Sequence, residues 1–141
     1  MKRRLIAGIP VVLLGILVAI GPRTVFPVCG GWEDPSMHCH WTALAETGVG
    51  GVLALLGLGL LLCGRDEFAA ALHWAVFLNA LLALLFPVAL TGVCPGTGMS
   101  CRLLTLPALV VLSSLLMASS AIQGGAAIIR IRRQASGRRK K

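Results

Sequence analysis

The residues best able to do chemistry lie in two short polar stretches between long apolar runs. The first reads VCGGWEDPSMHCHWT and holds Cys29, Met37, His38, Cys39, His40, Trp41 and Thr42; the second reads VCPGTGMSCR and holds Cys94, Met99, Cys101 and Arg102. Four of the five cysteines sit here. Three chemistries fit these residue types. The simplest is two structural disulfides, most locally Cys29–Cys39 and Cys94–Cys101, one of three ways to pair four cysteines. Closing loops this short stabilises by roughly 2–3 kcal/mol in the chain-entropy model. Pairing across the two stretches would instead staple them together. The second chemistry is thiol–disulfide exchange, in which His38, His40 and Arg102 stabilise an exposed thiolate. A Cys-x-x-Cys pair is missing, because nine and six residues separate the partners within each stretch. The third is a soft-metal site for copper or zinc, with Met37, His38, Cys39, His40, Met99 and Cys101 as weak candidate donors. A cysteine in a disulfide cannot also ligate, so an oxidising compartment disfavours this set. Cys63 stands apart and reads as a small apolar residue.

No Ser/His/Asp arrangement, phosphate-cradling loop or paired carboxylate occurs, and nothing in the pattern calls for a cofactor. The expectation is a non-catalytic protein. Within the apolar runs, polar residues are few. Glu46 reads as an acid in the first turn of a helix, near water, with Thr42 as its cap. Asn79, Ser119 and Ser120 fall near mid-span, where an interhelical hydrogen bond is worth about 1 kcal/mol, and Gln123 plays the same part lower down. His73 and Trp74 read as amphipathic rings at a membrane interface.

Four elements must position these residues. The chain has 141 residues, 57% apolar, mean hydropathy +0.88, and only 13% charged residues, against roughly 25% charged in an ordinary soluble domain. So much apolar surface cannot be hidden inside a soluble core of this size, and lipid must be the solvent for most of it. Apolar runs at about 5–22, 43–63, 69–91 and 103–129 are each read as a helix that crosses the bilayer, which takes about 20 residues. The first run resembles a signal peptide, but no small-x-small cleavage site follows its core and Pro22 sits where cleavage would fall. It is read as a retained helix. The fold class is therefore an all-α, integral membrane four-helix bundle in one domain spanning 1–141. Loops 23–42 and 92–102 lie outside and are pinned by disulfides.

Basic residues fix the orientation. Of 13 Lys and Arg, the N-terminus carries three, the short turn at Arg65 one and the tail 130–141 seven, all on one side of an even number of spans. Only Arg23 and Arg102 lie on the other side. By the positive-inside rule both termini are cytoplasmic and the protein is a multi-pass inner-membrane protein. The tail RIRRQASGRRKK is first a topology anchor, and it can hold anionic lipid headgroups at about 1 kcal/mol per basic residue. Nucleic-acid binding is excluded as a reading, because the basic patch has no aromatic residue for stacking.

The halves also echo each other, with Val28-Cys29 … Met37-His38-Cys39 matched by Val93-Cys94 … Met99-Ser100-Cys101. Two tandem helical hairpins in the same orientation would give this pattern. The second run is glycine-rich (Gly48, Gly50, Gly51, Gly57, Gly59). Ala43, Thr47 and Gly51 fall four apart, as do Ser120 and Gly124, which permits close helix approach. That seam either closes the bundle or receives a partner helix.

The stretch Cys39-His40-Trp41-Thr42-Ala43-Leu44-Ala45-Glu46 resembles the signature of a bacterial family known as domain of unknown function 4418. Val28-Cys29 ahead of it fits, as does Met99-Ser100-Cys101-Arg102 followed by Thr105-Leu106-Pro107. Leu44 departs from the pattern, which has a Gln there. The resemblance covers nearly the whole chain and implies a four-span membrane protein associated with ABC-type permeases. It implies no activity. The reading that follows is an accessory or interaction subunit of a transporter-like membrane complex, with the thiol oxidoreductase and the soft-metal site as alternatives.

Overall fold

The computed structural model describes residues 2–25, 38–62, 65–90 and 101–138, and nearly all of these are helical. Helix α1 spans Lys2–Thr24, α2 His38–Leu62, α3 Asp66–Leu85 and α4 Leu106–Arg138. All four are long and apolar enough to cross a membrane. Local chemistry sets their ends. Arg23 lies in the last turn of α1, facing the negative end of the helix dipole. Asp66 and Glu67 occupy the first turn of α3, at the positive end. Pro107 is the second residue of α4, and its fixed φ suits a helix. At the other end of α3, Pro87 deletes a ladder donor, and the helix widens into a π turn over Phe86–Leu90. A second π turn, Cys101–Thr105, leads into α4.

The helices form two hairpins: α1 packs along α2, α3 along α4, and the pairs meet mainly through α2 and α3. Glycines make the first contact close. A Cβ on Gly50 would stand 2.4 Å from the Ala19 nitrogen, and one on Gly57 2.8 Å from the Val12 nitrogen. Gly8 and Gly15 offer the reciprocal hollows, against Leu61 and Ala54. Gly8/Gly15 and Gly50/Gly57 each repeat after seven residues, the spacing that keeps one seam facing a partner along two antiparallel helices. The common core is built of Val11, Val18, Val49, Leu53, Leu60, Val76, Ala80, Ala83, Leu109 and Leu116. Bulky residues such as Leu13, Leu55, Leu78 and Ile122 point outward, and only about a third or less of each span is buried. The inside-out size order is that of a bundle solvated by lipid, where close packing replaces the hydrophobic drive.

These contacts put the two chain ends and the α2–α3 connection at one end of the bundle, here the terminal end. Arg130 reaches Asp66 there at 3.9 Å. The opposite end, called the loop end, is where connections 26–37 and 91–100 leave the helices. Helix α4 outruns its neighbours, and Ile131–Arg138 projects about 12 Å past the start of α3. The basic tail is thus helical up to Arg138. Likewise α2 begins at His38, five residues ahead of the apolar run, so His38 to Thr42 are part of a helix.

Candidate functional site

Most of the cysteine chemistry lies outside the described residues: Cys29, Met37, Cys63, Cys94 and Met99 fall there, as do the side chains of His38, Cys39 and Cys101. The disulfide pairs and the soft-metal set are therefore not seen assembled. Among the described residues no group of three or more His, Cys, Asp or Glu side chains comes together.

The described part of the loop end shows something else, a buried polar layer. Thr42, Glu46 and Thr105 are 2% exposed or less, and Ser113 is fully buried. Helical geometry explains the choice of residues. In the first turns of α2, Thr42, Ala43 and Glu46 share the face turned to the core, while Trp41 and Leu44 turn outward. His40 is half-buried and packs edge-on to Trp41, with ring centroids 5.8 Å apart. Arg102 is exposed.

Glu46 differs from its expected place. Because α2 starts at His38, Glu46 stands more than two turns inside the helix, beyond the reach of a cap at Thr42. It is fully buried, and neither carboxylate oxygen has a hydrogen-bond partner among the described residues. Ser113 Oγ, Ser120 Oγ and His73 Nδ1 are orphaned in the same way.

Depth can be read from the helix contacts. Gly59 lies against Leu72, and thirteen residues on from each, α2 reaches Glu46 and α3 reaches Leu85. Gly124 lies against His73, and twelve residues on from each, α3 reaches Leu85 and α4 reaches Leu112. Glu46 and Ser113 therefore stand at a similar depth, on helices that make no extended contact with each other.

The mid-span residues behave differently from expectation. Ser119 Oγ donates to the Leu116 carbonyl of its own helix at 3.1 Å, so its bond is not interhelical. Ser120 is buried without a partner among the described residues, and Asn79 and Gln123 are half-buried. His73 is not an interfacial ring. It is 4% exposed and faces Gly124, whose missing side chain makes room for it, while Trp74 does face outward. A hydroxyl link between helices is found at Thr47, whose Oγ1 lies 2.8 Å from the Ala43 carbonyl and 3.2 Å from the Ala19 carbonyl. Ser113 and the Gly8/Gly15 pair were missed; the signal for each was a seven-residue repeat, Ser113 with Ser120 and Gly8 with Gly15.

A family model described as a domain of unknown function, DUF4418, matches residues 11–125. The chain belongs to the DUF4418 family. No curated protein and no solved structure matches it. Within DUF4418 terms, the matched region holds both loops and the whole buried layer, and it ends before the basic end of α4. The signature stretch Cys39–Glu46 forms the first turns of α2, and the departing residue, Leu44, is 45% exposed on its outward face.

Proposed function

We propose that this chain is a non-catalytic accessory subunit of a larger membrane assembly, of the ABC-type transporter kind, with both termini in the cytoplasm. One observation carries the reading. The glycines of α2 divide into two sets: Gly50 and Gly57 are consumed by packing on α1, whereas a Cβ on Gly48 or Gly51 would meet nothing within 4 Å. Gly48 and Gly51 lie with Leu44, Val52 and Leu55 on the outward side of α2. A surface of small residues flanked by large ones accepts a partner helix at short range. The positive-inside charge pattern supports the orientation. The helical, basic end of α4 supports contact with anionic headgroups at the membrane surface.

Co-purification from native membranes tests this. A tagged wild-type chain is expected to bring down a membrane partner in fixed ratio, and the Gly48→Leu/Gly51→Leu double variant to remain folded and lose it. A wild-type chain recovered only as a free monomer would defeat the reading.

The oxidoreductase alternative keeps one structural observation in its favour. Cys39 lies in the first turn of α2 and Cys101 opens the turn that leads into α4, and a helix N-terminus favours a thiolate. Thiol trapping on native membranes with a maleimide mass tag separates the readings. An accessory subunit is expected to show four cysteines protected until reduction and Cys63 alone free. Loop cysteines whose redox state follows quinone supply would favour the oxidoreductase, and thiols released only by a chelator would favour the metal site.

A further inference from the structure

The buried layer at the loop end has a use that does not depend on a partner protein. A carboxyl group with both oxygens orphaned inside a bundle cannot stay charged cheaply. An ionised carboxylate moved out of water costs several kcal/mol even after relaxation, unless a cation or hydrogen-bond donors offset it. The charged and titratable groups near Glu46 do not supply that offset. On its own helix His40 lies six residues back, on another face. On α1 the nearest is Arg23, which is exposed, and on the turn into α4 it is Arg102, also exposed. The adjoining end of α3 and the π turn after it, from Leu81 to Leu90, have no charged residue. No basic nitrogen among the described residues pairs with Glu46: the two ion pairs, Arg65–Glu67 and Arg130–Asp66, both lie at the terminal end.

A metal cation is no better a match. Hard cations take six or more oxygen ligands. Here Thr42 and Thr105 are already engaged with other groups, and among the described residues no further His, Cys, Asp or Glu side chains gather with Glu46. A lone carboxyl suits a single hydrogen ion.

We propose that Glu46 is a proton-binding site: it takes up one hydrogen ion on a carboxylate oxygen, is held neutral inside the bundle, and exchanges that proton with water. Glu46 lies one turn before Gly50, on the stripe of α2 that packs on α1, so release leaves a bare negative charge at the loop end of that seam. Proton binding is thereby coupled to how tightly α1 and α2 close there.

Infrared spectroscopy of the full-length protein in lipid vesicles reads this directly, because a neutral carboxyl has a carbonyl stretch distinct from that of a carboxylate. At neutral pH the wild-type protein is expected to show the neutral-acid band and the Glu46→Gln variant to lack it. Transfer to deuterated water is expected to shift the band. Absence of the band from the wild type means an ionised Glu46 and overturns the proposal. A band that persists in Glu46→Gln belongs to another acid and also overturns it. A band that belongs to Glu46 and never shifts in deuterated water means a sealed acid, which overturns exchange. Circular dichroism of the variants checks that helix content is intact, so that a lost band reports the carboxyl and not unfolding.

Discussion

Gly50→Leu is expected to separate α1 from α2, lowering the stability of the bundle by about 3 kcal/mol, the upper end of overpacking effects. The direction follows from what the new side chain meets. Even its first carbon would stand 2.4 Å from the Ala19 nitrogen, 2.7 Å from the Ala19 Cα and 2.7 Å from the Gly15 carbonyl oxygen. All three are backbone atoms of a helix, so none can swing aside as a side chain would. Helix α1 must move as a rod, and the movement opens the matching contact of Gly57 with Val12 two turns away. Thr47 would lose its approach to the Ala19 carbonyl in the same step. The control lies two residues earlier. Gly48→Leu adds the same atoms on the same helix where a Cβ meets nothing within 4 Å, and its stability is expected to be that of the wild type. Unfolding of the purified protein by graded additions of sodium dodecyl sulfate, followed by circular dichroism, measures both. Equal losses in the two variants would mean that the leucine acts through helix propensity or insertion, and the α1–α2 seam would not be the close contact described.

That pair of variants also shows where sequence reasoning stops. The four spans were legible because a bilayer demands about 20 apolar residues in a row and the chain supplies them four times. Which way each residue faces was not legible. Helix α2 is apolar nearly all round, so its core and lipid faces differ in size and shape, not in polarity. Five glycines on it read as one seam, yet Gly50 and Gly57 pack on α1 while Gly48 and Gly51 stay open. Only the partner helix sorts them. The polar run from His38 to Thr42 read as loop because hydropathy marks where apolar residues begin, whereas the helix begins where the backbone can first be hydrogen-bonded. That shift of five residues moved Glu46 from a helix start near water to a buried position deep in α2. His73 was misplaced for a related reason: a histidine near a span end usually reaches for the interface, and only the contact with Gly124 shows the pocket that α4 leaves for it. The hairpin pairing was visible in the repeated loop pattern, since each loop joins two neighbours that then pack along their length.

Glu46→Leu is expected to stabilise the bundle, by about 1–2 kcal/mol. A buried polar group that lacks partners carries its full desolvation cost, and an apolar replacement of similar shape removes it. Leucine is close enough to glutamate in reach to fill the same buried space without leaving a hole. The gain is moderate because a neutral carboxyl costs far less to bury than a carboxylate. Three companion variants fix the interpretation. Glu46→Gln keeps the shape and most of the orphaned polarity, so it is expected to lie near the wild type. Glu46→Ala opens a cavity and is expected to lose stability, by about 2 kcal/mol on the scale of core truncations. Ser113→Ala removes a buried hydroxyl that has no partner among the described residues, so it is expected to lie at or slightly above the wild type. The same detergent titration gives all four values. Were Glu46→Leu the least stable of the set, the carboxyl would have to be satisfied by groups beyond the described helices, and the first place to seek them is the cysteine-bearing segment 26–37 that α2 follows. A gain in stability on losing this carboxyl would instead mark it as a residue the fold does not need, which is what a proton-binding group inside the bundle should be.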